Sequence, residues 1–403
     1  MRLKKLGIYQ EFGITPIINA SGAVTRLGGA PMNQETLAAF TEAARASVPL
    51  EQLQASASRI IAEATATEAG LVTSGAASAL TLGTAAILTG YNLKRMETLP
   101  HCQDFPDQFV IARQQRNGYD HAIRASGAHL VEVGFDEIAA NAGVRQTETW
   151  EYEAAFNAYT AGVVYVYSSK SKPDLRKVVD IAHKHHLPVL VDAAAELPPK
   201  SNLKSIAATG ADLVAFSGGK AIRGPQSTGI LCGKRDLIGS AALQMLDMDD
   251  HLEFWDPPAD LIDRTKFEGI PRHGIGRGFK VSKEEIIALL VALRLFISGA
   301  YDASALTARS ILEKISQRLQ DCPVQCSIRD KKDKGSLPIL EITVRETTNG
   351  QTAMTICRDL RYGNPPIYLG HAAVKEGKLL VNPLHLDQEA AEIIAERIHQ
   401  NFS

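Results

Sequence analysis

An apolar run, Asp212-Leu-Val-Ala-Phe216, breaks off into Ser217-Gly-Gly-Lys220 and continues as Ala-Ile-Arg223-Gly-Pro. A lysine so placed stands at the carboxyl end of a strand, where open α/β sheets bind their ligands. The two glycines leave room for a flat ring, and Ser217 lies within reach of the same ligand. An amine that attacks an aldehyde must be neutral part of the time, which desolvation or a neighbouring cation achieves by lowering its pKa. Most Gly-Gly-Lys sequences are only surface lysines after a turn, so the flanking motifs carry the weight. One is Leu187-Pro-Val-Leu-Val-Asp192, a strand that delivers a carboxylate 28 residues before the lysine. Alone, such an aspartate would more often cap a helix. Another is Leu71-Val-Thr-Ser74-Gly75-Ala76-Ala-Ser78, a strand passing through small residues into an alanine-rich helix. Backbone N–H groups at such a helix start bind phosphate. An amine for an aldehyde, a buried acid for a pyridine nitrogen and a cup for a phosphate, in the order cup, acid, lysine, together match pyridoxal 5′-phosphate (PLP). Lys220 is the expected Schiff-base residue, Asp192 the partner of the ring nitrogen, and Ser74, Gly75 and Ala76 the phosphate cup.

The elements that must position these residues follow from periodicity. Short apolar runs at residues 69–72, 109–112, 129–133, 162–167, 188–191, 212–216 and 229–232 read as strands covered on both faces. Helical patterns at residues 78–88, 119–125, 173–186 and 203–208 alternate with them, the signature of crossover units in a mostly parallel sheet. A long amphipathic segment at residues 283–296 suits a connector helix. Beyond it the order changes to helix, strand (337–344), helix (351–360), strand pieces (367–369 and 379–381) and a terminal helix (387–401). The expected organisation is an N-terminal arm at residues 1–45, a large α/β domain at 46–285, and a connector helix with a small α+β domain at 286–403.

The bulk composition fits small-molecule chemistry. With 45% hydrophobic and 22% charged residues the chain can bury a large core, and a net charge of −2 without blocks of one sign lacks the footprint of a nucleic-acid or membrane-surface binder. The five cysteines are scattered, and Cys322 with Cys326 has no second pair to complete a zinc site, so free thiols and no metal are expected. The N-terminal sequence lacks the apolar core of a signal peptide and no later segment approaches a membrane span, which makes the cytoplasm the default expectation.

At these motifs the chain resembles the fold-type I PLP enzymes, with the aspartate-aminotransferase fold. Within them it resembles the selenocysteine synthase (seryl-tRNA selenium transferase) group and its short relatives of the D-glucosaminate-6-phosphate ammonia-lyase type. The resemblance is carried by Pro16-Ile-Ile-Asn-Ala-Ser-Gly22, Leu27-Gly-Gly-Ala-Pro31, Ser126-Gly-Ala-His-Leu-Val-Glu-Val-Gly134, Val191-Asp-Ala-Ala-Ala-Glu-Leu-Pro-Pro199, Phe216-Ser-Gly-Gly-Lys-Ala-Ile-Arg-Gly-Pro-Gln226 and Gly276-Arg-Gly-Phe-Lys-Val-Ser-Lys-Glu-Glu285. These stretches span nearly the whole length. The synthases look longer before the Asn-Ala-Ser-Gly stretch, carry an aspartate where this chain has Gly219, and an arginine where it has Gly29, with Arg26 nearby. The resemblance therefore implies a free amino acid as substrate in place of a tRNA, and at least a homodimer. It also places Arg277 and Lys280 where the group carries an anion-binding basic pair, and Arg361 where many fold-type I enzymes hold a carboxylate.

Arg26, Arg113, His121, Arg223, Arg277, Lys280 and Arg361 are accordingly the candidates for reading a substrate carboxylate and a second anionic or polyhydroxy end, since arginine grips such groups in bidentate fashion. His121 or Arg113 could instead cover the cofactor face. For each, an ordinary surface charge is the competing explanation. His183, His185 and His186 look like a metal cluster but fall at a helix end, where solvated side chains are expected. The expected reaction is loss of a Cα proton and a β-leaving group, giving a 2-oxo acid and ammonia. A racemase or an aldolase would use the same residues, and tRNA-dependent selenium transfer or a non-catalytic PLP-fold protein is a weaker fit.

Overall fold

The computed structural model describes residues 7–135, 146–247, 249–302, 304–330, 336–345 and 350–402. The chain divides into two compact units, Met32–Ile297 and a smaller one combining Met1–Pro31 with Ser298–Ser403. The expected arm at residues 1–45 and connector helix at its 286 boundary are thus distributed differently. Helix Lys283–Ser298 packs almost wholly with the larger unit, while the first 31 residues belong with the C-terminal ones because strand β1 (Ile18–Ala20) pairs in parallel with a strand near residue 368.

The larger unit is built on seven strands: β2 (Ala69–Thr73), β3 (Gln108–Ala112), β4 (His129–Val133), β5 (Thr160–Val166), β6 (Val189–Asp192), β7 (Leu213–Ser217) and β8 (Gly229–Gly233). Their order is β2-β8-β7-β6-β5-β3-β4; β8 runs antiparallel to both of its neighbours, and the other pairs are parallel. This is the α/β architecture expected from the alternating runs. Strands β2, β6 and β8 are buried at every residue, because helices cover both faces.

Helix Ala76–Thr89 (AASALTLGTAAILT) is apolar around most of its circumference and correspondingly buried. Its Gly83 lies against Leu190, Leu213 and Leu231 of three adjacent strands, and the hydroxyls of Thr81, Thr84 and Thr89 are satisfied by carbonyls four residues earlier. Helix Leu175–Lys184 shows the opposite pattern, burying only Leu175, Val178, Val179 and Ala182 along one stripe. The open edge of β2 is closed by helix Leu50–Thr65, whose Gln54 side chain exchanges both of its hydrogen bonds with Val72 (2.9 and 3.1 Å), a polar cover for an otherwise unpaired edge.

The smaller unit carries an antiparallel sheet of β9 (Val324–Arg329), β10 (Ile339–Val344) and β12 (Lys378–Val381) in the order β12-β10-β9, with β1 paired to β11 (Ile367–Leu369). Helices Ser304–Arg318, Ala353–Tyr362 and Gln388–His399 pack on a core that includes Leu312, Ile342, Ile356 and Ile394. Strand β9, VQCSIR, was not anticipated, because its alternation is carried by half-buried Val324, Cys326 and Ile328, not by a strong apolar run. Helices Gln34–Ala44, Leu50–Thr65, Thr149–Ala155 and Arg235–Met245 likewise add to the expected set.

Candidate active site

Strand register places the three cofactor motifs on one edge of the large sheet. Thr73 at the end of β2 and Ser217 at the end of β7 both pair with Gly229, the first residue of β8. Two residues back along β7, Ala215 pairs with Asp192, which pairs with Val166 on its other side. The helix start after Thr73, the lysine connection after Ser217 and the carboxylate of Asp192 therefore lie side by side. Gly229 permits the close approach: a Cβ there would come within 2.4 Å of the Gly75 carbonyl carbon and 2.6 Å of the Ala76 nitrogen.

Asp192 is buried at this edge, and its Oδ1 accepts the N–H of Ala194 at 3.0 Å. Burial raises its pKa above the ordinary carboxylate value, while the Ala194 N–H and the Lys220 ammonium pull in the opposite direction. A buried carboxylate of this kind gains most from a cationic N–H partner. Lys220 stands in a connection folded tightly on itself. Gly218 donates to Thr228 O at 2.8 Å, Gly224 to Gly218 O at 2.9 Å, and Arg223 to Lys220 O at 3.1 Å, with Arg223 in the left-handed region at φ 60°. A non-glycine residue held there is a mark of local strain. Gly219, which precedes the lysine, leaves no space for a side chain, since its Cβ would meet the Gln226 backbone at 2.5 Å.

At the start of helix Ala76–Thr89, Gly75 adopts φ 99°, a conformation that L side chains rarely take, and the space beside it is open. Ser74 Oγ lies 3.0 Å from Ser78 Oγ, which holds it over the first turn. The helix thus presents uncapped N–H groups and a hydroxyl, the elements of a phosphate site.

The remaining candidates separate into three groups. Arg113 is engaged with Glu132 (2.9 Å), the acid that also pairs with Arg116, and His121 is an exposed residue of helix Asp120–Arg124. That helix is tied to Ala76–Thr89 through Thr81 Oγ1 and Ala122 O at 2.8 Å. Arg277 pairs with Asp247, whose carboxyl is lowered first by the Asp249 N–H and then by this guanidinium. Arg277 and Lys280 line a cavity of about 490 Å³ together with Asp247, Ser282 and Glu285, over an apolar floor including Leu246 and Ile286.

Arg26 and Arg361, in the smaller unit, both sit over the ring of Tyr368, at 5.6 and 5.2 Å from its centroid. Arg361 Nη2 is 3.2 Å from His371 Nδ1 and its Nε is buried without a hydrogen-bond partner. Among the described residues neither guanidinium has a carboxylate partner. Tyr368 escaped the sequence reading because it is the half-buried residue between the buried Ile367 and Leu369 of a three-residue strand. His183 and His185 do not converge on a metal; each Nε2 lies 2.8 Å from its own acid, Asp212 and Glu153 respectively. All five cysteines are free, and no helix among the described residues is long and apolar enough to cross a membrane.

The family model for L-seryl-tRNA selenium transferase matches residues 120–249, the stretch holding Asp192 and Lys220. Over nearly its full length the chain is 30% identical to a 5′-C-glycyluridine monooxygenase-decarboxylase from a Streptomyces species, covering 97% of this chain and 91% of that protein. The chain belongs to the selenium-transferase-related family of fold-type I PLP enzymes. It is also 27% identical to a D-glucosaminate-6-phosphate ammonia lyase from Salmonella typhimurium, covering 98% of this chain and 97% of the relative. A solved structure of D-glucosaminate-6-phosphate ammonia-lyase superposes with a TM-score of 0.81 at 25% identity, covering 99% of each chain.

The residues of this PLP enzyme fit the cofactor. The phosphate would be held at the start of helix Ala76–Thr89, where the space beside Gly75 is open. The ring nitrogen would face Asp192, whose charge is unfavourably buried without a cationic partner. Lys220 would supply the amine.

Proposed function

We propose that this PLP-dependent lyase acts on a free polar or phosphorylated amino acid, removing its Cα proton and a β-hydroxyl to release a 2-oxo acid and ammonia. The observation that carries the reading is the row of Ser74, Asp192 and Lys220 motifs along one sheet edge, in a chain whose relatives include an ammonia lyase. Bound there, PLP supplies an electron sink for the pair left at Cα when a bond to it breaks.

The chain's own groups do the rest. Asp192, kept from water, holds its charge against the ring N–H and so keeps the sink effective. Lys220 would be the base that takes the Cα proton, and the ammonium so formed would return a proton to the departing hydroxyl. The hydroxyl leaves as water and a second water hydrolyses the product, so the net change is loss of ammonia. Arg26 and Arg361, which have no carboxylate partner among the described residues, are the proposed readers of substrate anions, with Lys280 and Arg277 next.

A second reading is favoured by the 30% identity to the monooxygenase-decarboxylase: breaking the bond to the carboxylate instead, with oxygen as co-substrate. Both are tested on purified protein and its Lys220→Ala variant. A visible band of lysine-bound cofactor in the wild type, absent from the variant, is expected. D- and L-amino acids, including sugar-derived and phosphorylated β-hydroxy ones, are then assayed with and without oxygen. Oxo acid with ammonia, independent of oxygen, supports the lyase reading. Carbon dioxide with oxygen uptake replaces it with the second, inversion alone makes the enzyme a racemase, and aldehyde release an aldolase.

A further inference from the structure

The lysine-bearing connection between β7 and β8 rests on helix Lys283–Ser298 at two points. Gly218 and Gly224 press on Leu289; a Cβ on either would approach Leu289 Cδ1 to 2.6 and 2.9 Å. Further along, Ser227 donates its hydroxyl to Oε1 of Glu285. The other oxygen of that carboxylate, Oε2, accepts the Ser282 N–H at 3.2 Å and the Ser282 hydroxyl at 3.0 Å, and Ser282 Oγ in turn accepts the Glu285 N–H at 3.3 Å. That exchange is a reciprocal cap at the start of the helix.

Capping occupies one oxygen of Glu285, and the bond to Ser227 is not needed for it. The same carboxylate also lines the cavity that holds Arg277 and Lys280. One side chain therefore joins the lysine connection to the helix start, on the wall of the cavity that Arg277 and Lys280 also line. The glycine contacts fix how closely the connection approaches the helix. They carry no directional bond, whereas the Ser227–Glu285 bond is directional and so resists sliding along the helix.

We propose that Glu285 is a positioning residue that fixes the Lys220 connection through Ser227. This rests on the reading of Lys220 as the cofactor lysine, and the comparison of variants separates the two. In the PLP-loaded enzyme, Ser227→Ala removes only the tether and Ser282→Ala only part of the cap. The readouts are the rate of cofactor release, the visible circular dichroism of the bound cofactor and the melting temperature.

Ser227→Ala is expected to speed release about two- to tenfold, the range of one hydrogen bond, and to weaken the dichroism while melting near the wild-type temperature. Ser282→Ala should lower the melting temperature and leave both cofactor readouts unchanged, and Ser227→Thr, which keeps the hydroxyl, should restore them. Should Ser227→Ala fail to fold, Ser227→Cys, whose thiol is only a weak donor, takes its place in the same comparison. Unchanged cofactor signals in Ser227→Ala, or equal changes in Ser282→Ala, would reduce Glu285 to a helix cap and overturn the proposal. A wild type with no cofactor band, or a band that survives Lys220→Ala, would instead sink the reading of Lys220.

Discussion

The lysine connection of the larger unit and the arginine cluster of the smaller one are organised by different means. Around Lys220 the chain is held by backbone hydrogen bonds and by glycines whose missing side chains let one strand end approach another. Around Tyr368, two arginines from distant parts of the sequence are held by an aromatic face. The first arrangement fixes a single geometry and tolerates no added atom. The second fixes a type of charge and allows its position to adjust. Under the proposed function, the first would suit a cofactor of constant shape and the second the anionic group of a substrate.

The contrast is broken most severely at Lys220. Lys220→Ala is expected to lower turnover by about 10³-fold or more, since the base and the cofactor attachment go together, and steady-state kinetics with a substrate identified by the amino-acid screen checks this. Asp192→Asn comes next, with an expected loss of about 10²-fold in kcat while the cofactor still binds.

The Asp192 variant also has a signature in the cofactor-free protein. Because burial raises the Asp192 pKa, the unfolded chain releases this proton before the folded one does as pH rises from the ordinary carboxylate value. In that window the folded state binds more protons, so this group makes stability fall with rising pH and keeps it lowered beyond the window. Asp192→Asn removes the decline, and chemical denaturation of apo wild type and variant across mildly acidic pH should show the two curves separating in that direction. Curves that stay parallel would mean that the buried charge is already compensated.

The same contrast explains what the sequence made legible. Strand ends are written in local runs: Val189–Asp192 and Leu213–Ser217 are apolar stretches that stop at a polar residue, and Gly75, Gly218 and Gly219 mark turns that only small residues permit. The cofactor motifs and the parallel sheet could therefore be read from short windows. The arginines could not, because whether a guanidinium can take a ligand depends on what lies beside it in space. Arg113 and Arg277 looked equivalent to Arg361 in sequence, yet Glu132 and Asp247 already neutralise them. Glu285 and Tyr368 were passed over for the same reason, since their roles reside in contacts with Ser227 on one side and with Arg26 and Arg361 on the other.

Gly219 tests how rigid the backbone-held region is. Its backbone conformation is ordinary, so the barrier to substitution is steric, a Cβ meeting Gln226 main-chain atoms at 2.5 and 2.6 Å. Gly219→Ala should cost about 1–3 kcal/mol in equilibrium unfolding, whereas Gly278→Ala, with nothing within 4 Å, should stay within about 0.5 kcal/mol of wild type. Any side chain at the former position would have to displace the Gln226 backbone. Equal costs at the two glycines would show that the connection yields more readily than its packing implies.

The smallest effect is expected where the geometry is most adjustable, at Tyr368. Each guanidinium over its ring gains about 0.5–1 kcal/mol at an exposed site, so loosening the one that holds the substrate in Tyr368→Leu should raise KM for an anionic substrate about two- to fivefold and leave kcat nearly unchanged. Tyr368→Phe keeps the ring, and the described contacts of Tyr368 that involve hydrogen bonding use its backbone carbonyl, which accepts from Ser21 at 3.0 Å. That variant should therefore stay within about twofold of wild type. A fall in kcat in both variants would mean that the phenol takes part in the chemistry, making Tyr368 a catalytic residue and the cluster as exact in its demands as the lysine connection. No change in either, with activity lost in Arg361→Gln, would mean that the arginines keep their places without the ring.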